Sequence, residues 1–217
     1  MGQVWAVVVA RVGNGAKSRL AVALSSPDRR RLALAMLSDV LDVCAGARDL
    51  LAGVVAVVDP AARQLAEQAA ALVVVDSESG NMNVAASAGV NAARERGAGT
   101  VIILPGDVPL ITQRDLAELL MTAAAAQRAV VVGASRDGQG TNALLLRPPD
   151  VIAPAFGPPS VGRHLAAGLA SGALTRNEKD LGLALDVDTP DDLAALVRQP
   201  VGPCTAEALA ELWLVRT

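Results

Sequence analysis

Residues 53–75, GVVAVVDPAARQLAEQAAALVVV, contain the pattern that decides the fold. The apolar run Gly53–Val58 has the length of a buried strand, and Asp59-Pro60 ends it. The stretch Ala61–Ala70 then has the length of a short helix, and Leu72–Val75 is a second apolar run. Two buried strands separated by a helix predict a βαβ crossover, and hence parallel strands that are covered by helices on both faces.

The same alternation extends over the rest of the chain, without a linker or a break in composition. Further apolar runs predict strands at Trp5–Ala10, Val101–Leu104, Ala129–Gly133, Ala143–Leu146 and Leu183–Val187. Amphipathic stretches predict helices at Pro27–Ala45, Asn83–Arg96, Gln113–Ala126, Ser160–Ser171, Asp191–Val197 and Thr205–Trp213. We therefore expect one α/β domain over residues 1–217, with three α/β/α layers, a mainly parallel central sheet and a short C-terminal helix at about residues 205–213.

The composition excludes several classes of function. The 217 residues are 52% hydrophobic but include only one Phe, two Trp and no Tyr, so the core is aliphatic and an aromatic platform for single-stranded nucleic acid is excluded. A net charge of −3 argues against a broad basic surface for nucleic acid or an anionic membrane. The chain shows no signal segment and no uncharged run of about 20 residues, so we expect a cytoplasmic protein with no membrane partner.

The single histidine and the two cysteines narrow the chemistry further. His164 would serve alone in any Ser–His–Asp or Cys–His hydrolase, and the chain contains no GxSxG turn. Cys44 and Cys204 are too few for a metal cluster or a disulfide framework. Catalysis must therefore use carboxylates, hydroxyls, backbone amides and basic side chains, which points to phosphate and hard-metal chemistry.

A basic loop follows the first predicted strand. In open α/β sheets ligands bind beyond the carboxyl ends of the strands, and this loop carries Arg11, Lys17 and Arg19 together with two glycines. Glycines let the backbone approach an anion and the cations neutralise it, so the loop suits a triphosphate. It matches neither a Walker A loop nor a GxGxxG motif, and an ordinary solvated loop is the alternative.

Three aspartates follow other predicted strands. Asp107, in LPGDVPL at residues 104–110, is held at a rigid strand end that suits a divalent cation, or alternatively bonds its own turn. Asp186 and Asp188 are two residues apart on a predicted strand, so they face the same side and repel one another unless a cation such as Mg²⁺ lies between them. Asp191-Asp192 instead fits the acidic first turn of a helix.

Two loops complete the set. Residues 137–142, DGQGTN, form either a binding loop or only a tight turn. Residues 156–160, FGPPS, lead into a helix capped by Ser160, where free amides favour an anion. His164 lies one turn later and is interpreted as a structural or anion-side hydrogen bonder, not as a general base. A nucleoside triphosphate, Mg²⁺ and a small second anion would account for all these groups.

Several blocks of sequence resemble one enzyme family. The matching blocks are AKSRLA (16–21), RLALAMLSDVL (31–41), Met82-Asn83, LPGDVPL (104–110), GQGTNALLLRPP (138–149), FGPPS and RH within 156–164, and GLALDVDTPDDL (182–193). In these blocks the chain resembles the phosphoenolpyruvate or 2-phospho-L-lactate guanylyltransferases of coenzyme F420 biosynthesis. That family belongs to the MobA-like nucleotidyltransferase superfamily, so the resemblance implies a Rossmann-like fold.

The resemblance implies transfer of GMP from GTP, the co-substrate, to phosphoenolpyruvate with release of pyrophosphate. Family members with a C-terminal segment like VGPCTAEAL (201–209) look bacterial. Bacterial members are associated with phosphoenolpyruvate, so the resemblance favours phosphoenolpyruvate as the acceptor over 2-phospho-L-lactate and 3-phospho-D-glycerate. A downstream F420 transferase is then an expected partner, and the Ala-rich helices are compatible with a homodimer. A non-catalytic nucleotide-binding protein is the alternative of another class. It would predict eroded metal positions, whereas the three aspartates are present.

The resemblance also assigns roles to residues. It implies that GTP contacts Arg11, Lys17, Arg19, Asn83 and Gly106, that the acceptor contacts Thr141, Gly157 and Ser160, and that two Mg²⁺ ions bind Asp107, Asp186 and Asp188. Asp107, Asp188 and Lys17 are the implied catalytic residues. The chain departs from the family pattern at Arg11, where a lysine is usual, and at Met82, where the usual residue is leucine.

Overall fold

The computed structural model describes residues 2–13, 15–76, 80–179 and 182–214. Its strands are β1 (Gln3–Ala10), β2 (Gly53–Val58), β3 (Leu72–Val75), β4 (Ala98–Pro105), β5 (Ala129–Ala134), β6 (Thr141–Arg147) and β7 (Leu174–Glu178). They form one seven-stranded sheet in the order β3-β2-β1-β4-β6-β5-β7. Strand β6 runs antiparallel to β4 and β5, and the other neighbouring pairs are parallel, so the predicted α/β class with a mainly parallel sheet is confirmed.

Helices connect the strands, and some of them begin at side-chain caps. They are α1 (Ser26–Gly46), α2 (Arg63–Gln68), α3 (Met82–Glu95), α4 (Gln113–Thr122), α5 (Ser160–Ala170), α6 (Pro190–Leu196) and α7 (Pro203–Leu214). Thr112 and Thr189 form capping boxes with Asp115 and Asp192, which satisfy the free amides at the starts of α4 and α6. The prediction that Ser160 caps its helix is wrong, because Ser160 is the first residue of that helix, Pro159 precedes it, and no side chain caps it. Among the described residues, no helix combines the length and apolar character that crossing a membrane requires.

The sheet is buried on both faces, which gives the predicted three layers. Along β1, Ala6 and Val8 pack with residues of α1, α2 and α4 on one face. Val7 and Val9 alternate with them and pack with residues of α3 and α5 on the other. Full burial of an aliphatic side chain contributes about 1.5–3 kcal/mol, so this core is held by many small aliphatic contacts.

The last predicted strand is wrong, and the seventh strand lies elsewhere. Leu183–Val187 does not join the sheet: Gly182–Ala184 is a 3-10 turn, and residues 185–188 belong to no helix or strand. Leu183 and Val187 are buried, so the apolar residues of this segment reflect burial in the core and not pairing with another strand. The edge strand is β7, whose LTRNE sequence is partly exposed and shows no apolar run.

The site is positioned where the order of the strands reverses. Strand β1 lies between β2 and β4, so the connections after β1 and β4 leave in different directions and open a crevice at their carboxyl ends. Gly106 follows β4 at a point of close approach: a Cβ there would lie 2.6 Å from the Cβ of Ala10 and 2.9 Å from the Cδ1 of Leu37. Glycine therefore lets the loop after β4 pack closely against the end of β1 and against α1.

The C-terminal helix α7 is anchored to α1 by a buried carboxylate. The Asp39 carboxylate accepts hydrogen bonds from the backbone N–H groups of Cys204 (3.0 Å) and Thr205 (2.8 Å). Leu209 and Leu212 pack with Leu32 of α1 in a common cluster. The predicted terminal helix is thus present and is docked on the rest of the fold.

Candidate active site

Two cavities meet at the carboxyl edge of the sheet. The first, of about 440 Å³, lies between the loop after β1 and the start of α3. The second, of about 500 Å³, lies between the start of β6, the start of α5 and the segment before α6. Both volumes fall in the usual range for small-molecule sites. The cavities share four lining residues, Met82, Pro105, Asp107 and Asp188, so they form two halves of one site.

Lys17 bridges two carboxylates where the cavities meet. Its Nζ donates hydrogen bonds to Asp107 Oδ2 and, at 2.8 Å, to Asp188 Oδ1. Burial lowers the pKa of Lys17, but the charges of Asp107 and Asp188 outweigh this and raise it above the ordinary 10.5. The side chain therefore carries an ammonium ion. Lys17 also has a left-handed backbone, with φ 53°, which costs a non-glycine residue free energy and is typical of functional sites.

Asp186 is held beside this pair by Asn142, which sequence analysis did not single out. The Asn142 amide donates to Leu183 O (2.8 Å), Ala184 O (3.3 Å) and Asp186 Oδ1 (3.2 Å). Burial and then the charge of Asp107 raise the pKa of Asp186 above its usual value. Asn142 thus orients the segment that carries Asp186. In the sequence it was noted only as part of the DGQGTN loop and of the GQGTNALLLRPP block, without a role of its own.

The basic loop takes its shape from Asp59 at the end of β2. One carboxylate oxygen, Oδ2, accepts hydrogen bonds from the N–H groups of Val12 (3.0 Å) and Gly13 (2.7 Å). The sequence pattern had assigned Asp59 only to the end of a strand, so this role was missed. Asn14, within the same loop, lies outside the described residues.

The structure distributes the predicted site residues over both cavities. Arg11, Lys17 and Gly106 line the first cavity, together with Asp107 and Asp188. The residues Arg19, Thr141, Gly157, Ser160 and Asp186 line the second cavity. Arg19 therefore lies on the opposite side of the junction from Arg11. A further cation of the second cavity, Arg136, was not predicted, and its guanidinium is 2.9 Å from Asp192 Oδ1.

The remaining predicted residue, Asn83, lies against the backbone of Phe156. Its Oδ1 accepts from Phe156 N (2.6 Å), and its Nδ2 donates to Phe156 O (3.3 Å). Arg163 donates to the carbonyl groups of Ala155, Phe156 and Gly157 from the other side. These two side chains hold the loop that lines the second cavity. Gly157 has φ 93° there, a left-handed conformation that favours glycine.

His164 is fully buried behind the second cavity. Burial, aided by the nearby charge of Arg163, lowers its pKa from 6.5 to about 4. The imidazole is therefore neutral at pH 7 and carries a proton on one nitrogen only. The sequence predicted a structural or anion-side hydrogen bonder at this position, and His164 hydrogen-bonds to Thr141 and Ala155 within the fold.

The lowered pKa of His164 predicts a loss of stability in acid. The unfolded chain binds the proton near pH 6.5 and the folded chain near pH 4, so protonation favours unfolding between these values. We expect the melting temperature of the protein to fall, relative to that of His164→Asn, as the pH is lowered through this window. Thermal unfolding of both proteins from pH 8 to pH 4 measures the difference between their melting temperatures. A difference that does not change with pH would contradict the lowered pKa of His164.

The acidic residues offer two candidate sites for a cation. Among the described residues, Asp39, Asp42 and Cys204 are the one group of three whose possible ligand atoms all lie within 4.8 Å of one another, but the Asp39 carboxylate already caps α7. Asp107, Asp186 and Asp188 instead line the second cavity, and the charges of Asp107 and Asp188 add to the effect of burial in raising the pKa of Asp186. Their oxygen-only donor set fits a hard divalent cation, so the cavity junction is the better candidate.

Comparisons with known proteins show what the chain is similar to. Residues 5–214 match the family model described as guanylyl transferase CofC like. A protein named phosphoenolpyruvate guanylyltransferase from Conexibacter woesei is 40% identical over 192 residues, which cover 88% of this chain and 86% of the relative. A protein named 3-phospho-D-glycerate guanylyltransferase from Phenylobacterium zucineum is 37% identical over 210 residues, with 95% of each chain covered.

The fold is also found in solved structures. A protein described as a nucleotide-diphospho-sugar transferase from Desulfovibrio desulfuricans superposes with a TM-score of 0.74 at 16% sequence identity. The match covers 97% of this chain and 95% of the other. At this identity the similarity concerns the fold alone, and it agrees with the expected α/β fold.

Proposed function

Because the chain belongs to the family of CofC-like guanylyl transferases, we propose that it transfers the GMP group from GTP to the phosphate of phosphoenolpyruvate and releases pyrophosphate. The chain is a nucleotidyltransferase, and the identity of its two substrates is the proposal. Relatives named for phosphoenolpyruvate and for 3-phospho-D-glycerate support a small phospho-carboxylate as the acceptor.

One observation carries the proposal: two cavities of similar size share Asp107 and Asp188, with the Lys17 ammonium between these carboxylates. A transfer between two bound substrates needs such a junction, because the reacting atoms must be held close together and in line. GTP occupies the first cavity, with its α-phosphate at the junction. The acceptor occupies the second cavity and directs its phosphate to the same point.

The chain's own residues then account for the reaction. An oxygen of the acceptor phosphate attacks the α-phosphorus, and the bond from this phosphorus to the β-phosphate oxygen breaks. The acceptor phosphate is already ionised, so the step needs no general base. Lys17 and Arg11 neutralise the triphosphate, and Thr141, Gly157 and Ser160 hold the acceptor's carboxylate.

A metal ion held by the three aspartates would contribute to the charge balance at the junction of the cavities. Asp107, Asp186 and Asp188 would hold Mg²⁺, with two ions in the full site, and bound Mg²⁺ screens the repulsion between the two phosphate groups. Asn142 keeps Asp186 turned toward this point. Consumption of the product by a downstream F420 transferase and assembly as a homodimer stay predictions from the sequence.

The acceptor is tested with the purified protein, Mg²⁺ and GTP. Phosphoenolpyruvate, 2-phospho-L-lactate and 3-phospho-D-glycerate are supplied separately, and pyrophosphate and the GMP adduct are measured together, with ATP and CTP as nucleotide controls. We expect both products with GTP and phosphoenolpyruvate. Preferential turnover of another acceptor would correct the substrate, and no turnover with any of the three would reject the proposal.

Steady-state kinetics of an Asn83 variant distinguish between two roles for this residue, holding the acceptor loop and contacting the nucleotide. Its hydrogen bonds to Phe156 predict that Asn83→Ala loosens the acceptor loop, so the KM for the acceptor rises about tenfold while the KM for GTP changes little. Steady-state kinetics with each substrate varied in turn measure the two effects. Asn91→Ala, at an exposed position of the same helix, is the matched control. A rise in the KM for GTP alone would instead place Asn83 on the nucleotide.

A further inference from the structure

A buried hydrogen-bond chain runs from the backbone to the second cavity. The N–H of Ala155 donates to His164 Nε2 at 2.8 Å, and His164 Nδ1 lies 3.0 Å from Thr141 Oγ1. Thr141 Oγ1 lies 2.9 Å from Ser160 Oγ. The side chains of Ser160 and His164 are fully buried, and Thr141 is 5% exposed. Thr141 and Ser160 both line the second cavity.

The first bond of this chain fixes the proton on the imidazole. A backbone N–H only donates, so the Nε2 that faces Ala155 must offer its lone pair. The ring is neutral, and its one proton is therefore on Nδ1. Nδ1 donates to Thr141, which means that the Thr141 oxygen is an acceptor in this bond.

The hydrogen-bond chain contains one more donor proton than its own bonds use. The His164 Nδ1–H and the two hydroxyls supply three protons, and the two bonds of the His164–Thr141–Ser160 chain use two of them. Among the described residues, neither hydroxyl has another hydrogen-bond partner. One hydroxyl proton is thus left over for the cavity. With the opposite ring tautomer, the Thr141 hydroxyl would donate to the ring and this surplus proton would be lost.

We propose that His164 is a positioning residue that fixes the direction of this chain, so that the Thr141–Ser160 pair presents a proton donor to the acceptor's carboxylate. The inference rests on the proposed function, since it concerns how the acceptor is bound. A fixed donor matches an anionic oxygen and opposes a group that can only donate. It therefore favours acceptors that place a carboxylate oxygen at this point and does not distinguish between the phospho-carboxylates that do so.

The tautomer can be measured without any turnover. The chain contains a single histidine, so a long-range ¹H–¹⁵N correlation spectrum of the ¹⁵N-labelled full-length protein shows one imidazole. We expect a neutral ring at pH 7 with the proton on Nδ1. A proton on Nε2, or on both nitrogens, would overturn the proposal whether or not the protein is a guanylyltransferase.

Two near-isosteric variants then separate a positioning role from a structural one. His164→Asn keeps a donor near the Nδ1 position, and His164→Gln keeps an acceptor near the Nε2 position. We expect His164→Gln to raise the KM for the acceptor about tenfold with little change in kcat or in the KM for GTP, and His164→Asn to stay within about threefold of the wild type.

The melting temperatures of both variants show how far each one perturbs the fold. Equal acceptor KM values in the two variants would mean that His164 has a structural role only. The same conclusion would follow if the acceptor KM rose in step with the loss of melting temperature. If the wild type turned over no acceptor, the proposed function would fail, and the spectrum would still decide the direction of the chain.

Discussion

Replacement of Asp188 by asparagine is expected to lower kcat by about 10³-fold or more while the protein stays folded. Asp188 lines both cavities and accepts a hydrogen bond from Lys17 through Oδ1, so its charge lies at the point where the two substrates meet in the proposed complex. Asparagine has the same shape but carries no charge. Turnover by Asp188→Asn is measured at saturating GTP, acceptor and Mg²⁺, together with the melting temperature.

A matched substitution is available three residues further along the chain. Asp191 is exposed in the first turn of α6, so Asp191→Asn removes the same charge from the same segment without touching the junction. We expect its kcat to stay within about twofold of the wild type. Equal activity of Asp188→Asn and the wild type would show that the Asp188 carboxylate takes no part in the mechanism.

Replacement of Lys17 by methionine is expected to lower kcat by about 10²–10³-fold. The substitution removes the ammonium that neutralises Asp107, Asp188 and, in the proposed complex, the departing pyrophosphate. Two carboxylates then face one another without a cation, which destabilises the folded state. We therefore also expect Mg²⁺ to raise the melting temperature of Lys17→Met more than that of the wild type.

The chain supplies its own control for this variant, because its second lysine, Lys179, is exposed. Lys179→Met removes one positive charge from the protein and should leave both kcat and the response to Mg²⁺ unchanged. A similar loss of activity in both variants would indicate a general charge effect. Full activity of Lys17→Met would show that Lys17 only supports the folded site.

Much of the fold follows from the sequence because most strands are buried runs. The regions of β1, β2 and β4 are continuous apolar stretches, which only a sheet covered on both faces explains easily. Strand β7 was missed because it is a partly exposed edge strand. The segment around Leu183 was misassigned because its backbone carbonyl bonds the Asn142 side chain, a long-range contact that no local pattern reveals.

The site follows from the sequence only in part, for a similar reason. Asp107 and the basic loop were predicted from one rule, that chemistry gathers at the carboxyl ends of strands. Asp188 was predicted from a strand that the structure does not contain. The contact of Asn83 with Phe156 joins residues 73 positions apart, so only the folded chain shows it. The backbone bonds of Asp59 to the basic loop are equally non-local.

Direct transfer at the shared junction is the central claim, and pyrophosphate–GTP exchange tests it most directly. Lys17 donates to both Asp107 and Asp188 as an ammonium ion, so it has no lone pair with which to take up GMP. Labelled pyrophosphate is incubated with the protein, Mg²⁺ and GTP, with and without phosphoenolpyruvate. The account predicts label in GTP only when the acceptor is present. Exchange without an acceptor, together with a covalent GMP adduct on the protein, would contradict it.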